Sequence, residues 1–247
     1  MDSSITISSV GRKRHVLLGV VLAFLFAGPY AKAQYYDRRE YEASDARYLY
    51  VGFMQRDFKP SSVNRVADSL AIAFNRPMPF VGFHQGPVDI VFGYSLFTLQ
   101  GASRSTIFFG TTVSNEIILS GVRSNALLLP VMLSVDFTKA ESNGAERDNF
   151  NIASLGIGAG VKYRYHNASV DFSIQAVEAA HYSFEGLSTG SGFSAATLGE
   201  ATLILKDVAV LDGIVVGYRF RFQTWSMVND RFDYKSLFHG PFIGLMF

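Results

Sequence analysis

His181, Ser183 and Glu178 are the residues of this chain whose types come closest to catalytic machinery. A hydroxyl nucleophile, an imidazole to take its proton and a carboxylate to orient the imidazole together perform acyl transfer. Their spacing argues against that use. Side chains alternate along an extended strand, so His181 and Ser183 share one face while Glu178 points to the other. The expectation is that the protein is not an enzyme, with a lipid hydrolase around His181 and Ser183 as the least favoured alternative. The remaining histidines past residue 33 are His84 and His166, at expected turns, and His239 near the C-terminus. Cysteine is absent, which excludes thiolate metal sites, disulfides and a cysteine nucleophile. There is no His-x-x-x-His on a helix and no alternating Asp loop; Asp230 and Asp233 read as solvated loop charge in preference to a weak calcium site. No cofactor and no metal are expected.

A larger set of charges recurs on one parity. Asp89, Glu116, Asp136, Asp171 and Glu200 are acidic, and Lys162, Arg164, Lys206, Arg219 and Arg221 are basic. Each falls on the less apolar side of a segment that alternates with period two, the signature of strands with two different faces. The clearest segment sets Ile214, Val216, Tyr218, Phe220 and Phe222 against Val215, Gly217, Arg219, Arg221 and Gln223. A soluble barrel and a transmembrane barrel both alternate, so the period alone does not separate them. The richer apolar sets, however, carry aromatics near the strand ends: Tyr163 and Tyr165, Tyr182 and Phe184, Phe220 and Phe222. That placement suits the lipid–water interfaces and directs the charges into a lumen. Five acids facing five bases predict a salt-bridge network there, since an isolated ion in a narrow barrel is costly. Glycines of the same parity, Gly93, Gly110, Gly156, Gly158, Gly160, Gly217 and Gly244, ease curvature or make room for Phe97, Phe108, Phe242 and Met246.

Ten strands are predicted, over 47–56, 68–83, 87–99, 104–119, 125–138, 149–165, 168–185, 194–206, 213–225 and 236–247. Outer loops are placed at 57–67, 100–103, 139–148, 186–193 and 226–235, and tight periplasmic turns at 84–86, 120–124, 166–167 and 207–212. The second strand contains Pro77 and Pro79. A bulge there keeps ten strands, whereas a break would leave eight. The fold class is therefore all-β, an antiparallel up-and-down transmembrane β-barrel over 47–247, because an open edge in hydrocarbon would leave backbone groups unpaired.

The N-terminus reads as an export signal. Arg12, Lys13, Arg14 and His15 precede an apolar run from Val16 to about Ala27, and Ala31-Lys32-Ala33 offers small residues for cleavage after Ala33. Residues 1–33 are assigned as a cleavable signal peptide and 34–46 as a periplasmic lead-in. Loss of Arg12, Lys13, Arg14 and Lys32 against Asp2 takes the formal charge from +1 to −2, which leaves no basic surface for nucleic acid.

With Ala31-Lys32-Ala33 at the front, dyad-repeat strands throughout and a terminal Phe247, the chain resembles the small bacterial outer-membrane barrels of the OmpA, OmpX and OmpW type. Ile243, Leu245 and Phe247 resemble the C-terminal signal read by the barrel-assembly machinery in that class. The resemblance is architectural and covers about residues 47–247. It implies an outer-membrane location, contact with outer-membrane lipid and with the assembly machinery during biogenesis, and a monomer in preference to an oligomer. No member's functional motif is present to carry over. The expected role is structural or surface-interacting with a side-chain-filled lumen, and the alternative is a narrow channel or transporter for a small solute.

Overall fold

Each alternating segment has an apolar face that must leave water and a backbone whose N–H and C=O groups must pair. A closed antiparallel ring answers both demands. The computed structural model describes residues 46–61, 71–99, 101–122, 124–141, 149–185, 190–208, 211–228 and 232–247. The expected signal peptide, nearly all of the lead-in and parts of several expected loops lie outside these residues.

Ten strands follow in order: β1 (Arg47–Pro60), β2 (Phe74–Gln85), β3 (Val88–Leu99), β4 (Ala102–Val122), β5 (Asn125–Ala140), β6 (Phe150–His166), β7 (Val170–Glu185), β8 (Gly190–Val208), β9 (Leu211–Met227) and β10 (Tyr234–Met246). Every strand pairs with its sequence neighbours, and β1 pairs with β10, so the sheet is a closed up-and-down barrel. The closing ladder runs from Tyr48↔Met246 to Pro60↔Tyr234, and the Phe247 N–H donates to the Arg47 carbonyl at 3.1 Å. Both termini of the barrel therefore sit at one end, the terminal end.

Several strands extend past their expected limits. β1 continues to Pro60 and β8 begins at Gly190, so Asp57–Pro60 and Gly190–Phe193 are wall where the sequence predicts loop. The two prolines of β2 produce no bulge: its register with β1 is unbroken from Arg47↔Gln85 to Phe58↔Phe74. Their effect falls on the opposite edge. Pro77 and Pro79 share parity, and the Pro77 carbonyl accepts from Ser95 Oγ of β3 at 2.9 Å, so both missing N–H groups face β3. There the ladder stops at Phe80↔Gly93 after six register pairs. The barrel's bulge lies instead in β4, between Ile118 and Ser120.

The outward set is apolar and exposed: Leu49, Val51, Phe53, Phe92, Leu96, Leu133, Val135, Leu155, Ile157, Ile243 and Leu245 among them. The inward set fills the lumen. One apolar cluster gathers Tyr48, Tyr50, Met54, Met78, Phe80, Phe108, Phe238 and Phe242 in the half nearer the termini. A second, toward the far end, joins Phe58, Ile72, Phe97, Phe150, Ile152, Trp225, Met227, Phe232 and Tyr234. Space for such large groups comes from glycines opposite them. A Cβ on Gly82 would collide with the Tyr50 ring, and one on Gly217 would collide with the Phe242 ring.

Gly82→Val should therefore destabilise the barrel by about 1–3 kcal/mol, the usual cost of overpacking. Ala180→Val, outward and exposed, should stay within about 0.5 kcal/mol of wild type. Urea unfolding midpoints in detergent measure both.

Candidate functional site

The ten inward charges predicted from parity lie on β3 to β9, and all are buried or half-buried. They do not form one continuous chain. Near the terminal end, Arg164 Nη2 donates to Asp171 Oδ2 at 2.7 Å, with Nε 3.3 Å from the other oxygen. Lys162 Nζ of β6 meets Glu116 Oε1 of β4 at 2.6 Å over the intervening β5. Lys206 has no carboxylate partner among the described residues; it lies 3.2 Å from His166 Nδ1 and 3.3 Å from the Asn167 carbonyl.

Further in, Arg219 is the centre of a group drawn from six strands. Its Nε donates to Glu200 Oε2 at 2.6 Å, Nη1 to the Tyr50 hydroxyl at 2.6 Å and Nη2 to Asp89 Oδ1 at 3.1 Å. The Tyr50 hydroxyl donates in turn to Asp89 Oδ1 at 2.8 Å, and His84 of β2 lies 3.6 Å from the same oxygen. The Arg219 guanidinium also stacks on Tyr50 and Phe242, 4.8 and 5.2 Å from the ring centres. Every donor edge of this cation is used.

The next layer is built around Asp136. Arg221 Nη2 donates to its Oδ2 at 2.6 Å, and Gln223 Nε2 lies 3.3 Å from its Oδ1. Gln223 also reaches Ser194 Oγ, which continues through Ser183 to Ser154 at 3.0 and 2.8 Å. These serines come from β8, β7 and β6, and three hydroxyls in series satisfy one another where water has no access. Parity identifies them as inward; only the register shows that they meet.

His181 and Ser183 are both inside this layer, fully buried, whereas Glu178 faces outward and accepts from Thr197 Oγ1 at 2.8 Å. The sequence trio is thus divided between lumen and outer wall. The structure brings a different trio together: Ser134 Oγ is 2.8 Å from His181 Nε2, and Asp136 Oδ2 is 3.6 Å from that same nitrogen. An acyl-transfer triad requires the carboxylate on the other ring nitrogen, to hold the tautomer that accepts the hydroxyl proton. Here Nδ1 has no partner and the hydroxyl is buried. The trio therefore lacks the arrangement that acyl transfer needs.

His239 points outward and bonds the Tyr218 hydroxyl at 2.8 Å. Asp233 Oδ1 caps the Met227 N–H at 2.8 Å, and Asp230 lies outside the described residues. No metal-binding group of three ligands occurs among the described residues. Ile243, Leu245 and Phe247 are exposed on the outer face of the closing strand.

Among the described residues, one fully buried charge escapes the sequence-derived set. Arg56 of β1 is fully buried, donates from Nη1 to Thr106 Oγ1, and has the Phe58, Phe74 and Phe238 ring centres 5.2, 5.6 and 4.6 Å from its guanidinium carbon. The signal was its parity with Tyr48, Tyr50 and Met54; with β1 expected to end at residue 56, it read as a strand terminus.

This geometry is that of a closed ten-stranded up-and-down barrel with an apolar outer face. No family profile and no characterised protein sequence matches the chain. Among solved structures it is similar to neisserial surface protein A (12% identity, 81% of this chain and 97% of that one, TM-score 0.31). It is also similar to the outer-membrane protease OmpT of Escherichia coli (8%, 82% and 97%, 0.33). A third likeness is to Ail, the attachment invasion locus protein of Yersinia pestis (10%, 82% and 99%, 0.24). The likeness is one of architecture, and no residue role is transferred from any of them.

Breaking the Asp136–Arg221 pair from one side should be far worse than removing it. Asp136→Ala is expected to cost about 3–5 kcal/mol by stranding a buried guanidinium. The double change Asp136→Leu with Arg221→Met should be near neutral or stabilising. Equal losses in the two variants, read from urea unfolding, would contradict the pairing argument.

Proposed function

We propose that this chain is a monomeric outer-membrane protein whose barrel is closed by its own side chains, with a structural or surface-interaction role. The carrying observation is the pair of apolar clusters with ion pairs between and below them: Tyr50, Phe80 and Phe242 on one side of the Asp136 layer, Phe58, Phe150 and Trp225 on the other. Small barrels fill their interiors in this way, whereas general porins have about 16–18 strands and an aqueous channel.

An outward band of Leu, Ile, Val and Phe supports residence in lipid, and both termini at one end support a periplasmic side there. The export signal expected at residues 1–33 supports delivery to that membrane. Exposed Ile243, Leu245 and Phe247 on the closing strand suit recognition by the assembly machinery before the ring closes. The geometry around His181 does not favour the hydrolase alternative, and the proposed role is not an enzymatic one.

Reconstituted in planar bilayers, the protein should show no stable conductance steps. Reproducible single-channel steps would replace this reading with the narrow-channel one. A His181→Ala strain should keep the parental lipid profile; a changed profile would reopen the hydrolase reading.

A further inference from the structure

Arg56 differs from the other lumen guanidiniums described above. Arg219 holds two carboxylates and Arg221 holds one, whereas Arg56, more deeply enclosed than either, has no acidic partner among the described residues. Its Nη1 is engaged by Thr106, and the two atoms with no hydrogen-bond partner are Nε and Nη2. Those two N–H groups lie parallel on one edge of the guanidinium. That edge is the fork which receives two oxygens of a carboxylate or phosphate. Rings of Phe58, Phe74 and Phe238 stand 4.6–5.6 Å from its carbon and hold the side chain in place.

We propose that the lumen layer around Arg56 is a binding site for an oxyanion, a carboxylate or phosphate group received on the Nε–Nη2 edge. Three further observations support it. Ser236 of β10 is diagonal to Arg56, since the register sets Arg56 opposite Phe238 and Phe58 opposite Ser236. Trp225 of β9 is diagonal to Ser236 in turn. Ser236 Oγ and Trp225 Nε1 are buried without a hydrogen-bond partner, as is Thr138 Oγ1 beside Thr106. Native interiors rarely leave so many polar atoms unpaired in one layer. Charge points the same way: a lone buried cation is costly, and one anion neutralises it.

A second guanidinium faces the same layer. Arg56 is opposite Arg76 in the β1–β2 register, so both side chains are on the lumen side of the wall, where Arg76 keeps an exposed surface. It lies on the part of β2 whose ladder with β3 has already ended at Phe80↔Gly93. Whether the bound oxyanion is a free solute or carries an alkyl chain is decided by the choice of probe.

Trp225 is the chain's single tryptophan, and its ring is 6.3 Å from Phe58, itself 5.2 Å from the Arg56 guanidinium. Its emission therefore reports on the layer. The folded barrel in detergent is titrated with four probes: acetate and inorganic phosphate as free anions, laurate and dodecyl phosphate as amphiphiles. The expected result is a saturable emission change with at least one probe, its midpoint weakened about tenfold or more in Arg56→Lys, which keeps the charge and loses the fork. Saturation by a free anion assigns the site to solutes from water, and saturation by amphiphiles alone assigns it to ligands that carry an alkyl chain. Arg56→Gln serves as a second variant with the same expected loss should Arg56→Lys not refold, as judged by heat-dependent gel mobility. Absence of a saturable response to all four probes in the wild type overturns the proposal. So does a midpoint unchanged in the folded variant.

Discussion

Closure of β1 on β10 is the constraint from which the remaining structure follows. In hydrocarbon an unpaired backbone N–H or C=O has no water to turn to, so a sheet of this kind is stable only without edges. Once the ring of ten strands is closed, its radius is fixed by strand number and stagger, and ten strands enclose a space that side chains can fill. The inward residues must then pack as in a protein interior. Gly82 and Gly217 exist beneath Tyr50 and Phe242 for that reason, since a ring and a Cβ cannot occupy the same position. Closure also makes possible contacts that no open sheet would allow. Arg219 reaches Tyr50, 169 residues away in sequence, because β9 and β1 flank the same closing strand.

Burial inside the ring changes what a charge is worth. A lumen carboxylate without a donor would cost several kcal/mol, so each of Asp89, Glu116, Asp136, Asp171 and Glu200 has a cationic partner. Tyr50 and Gln223 then take up lone pairs that the cations leave over. Such pairs add little net stability compared with apolar packing. What they contribute is position. Glu200 on β8 and Asp89 on β3 grip one guanidinium from opposite directions, and this group would be lost if either strand slipped by one residue. Arg56 lies outside that scheme, held by aromatic faces in place of carboxylates, and among the described residues it is the fully buried cation whose pairing is incomplete.

Parity made most of the wall legible from the sequence. Alternation over β6, β7 and β9 separated apolar from charged sets, and the ten inward charges follow from it, because one residue of offset moves a side chain through the wall. What parity cannot supply is which inward residues meet. That depends on the stagger accumulated around the ring, as with Ser154, Ser183 and Ser194, or Lys162 with Glu116. Local propensity also misled in β2. Two prolines read as a bulge or a break, yet β1 pairs with β2 throughout because both proline nitrogens face β3. Arg56 was missed for a related reason: a strand expected to stop there hides the last member of its inward set.

The same rigidity of register explains the polar groups on the lipid side. Glu178 cannot turn inward without carrying His181 and Ser183 outward, since β7 alternates strictly between Val177, Ala179, His181 and Ser183 inside and Ala176, Glu178, Ala180 and Tyr182 outside. The lumen layer fixes β7, and Glu178 must be satisfied where it stands. Thr197 on the neighbouring strand supplies a hydroxyl 2.8 Å away, and small neighbours at Ala176, Ala180 and Ala195 leave the carboxylate exposed. His239 is treated alike by Tyr218. A barrel wall therefore does not choose its two faces residue by residue. The side with the greater burial decides the register, and an outward polar residue is accommodated afterwards by a cross-strand partner.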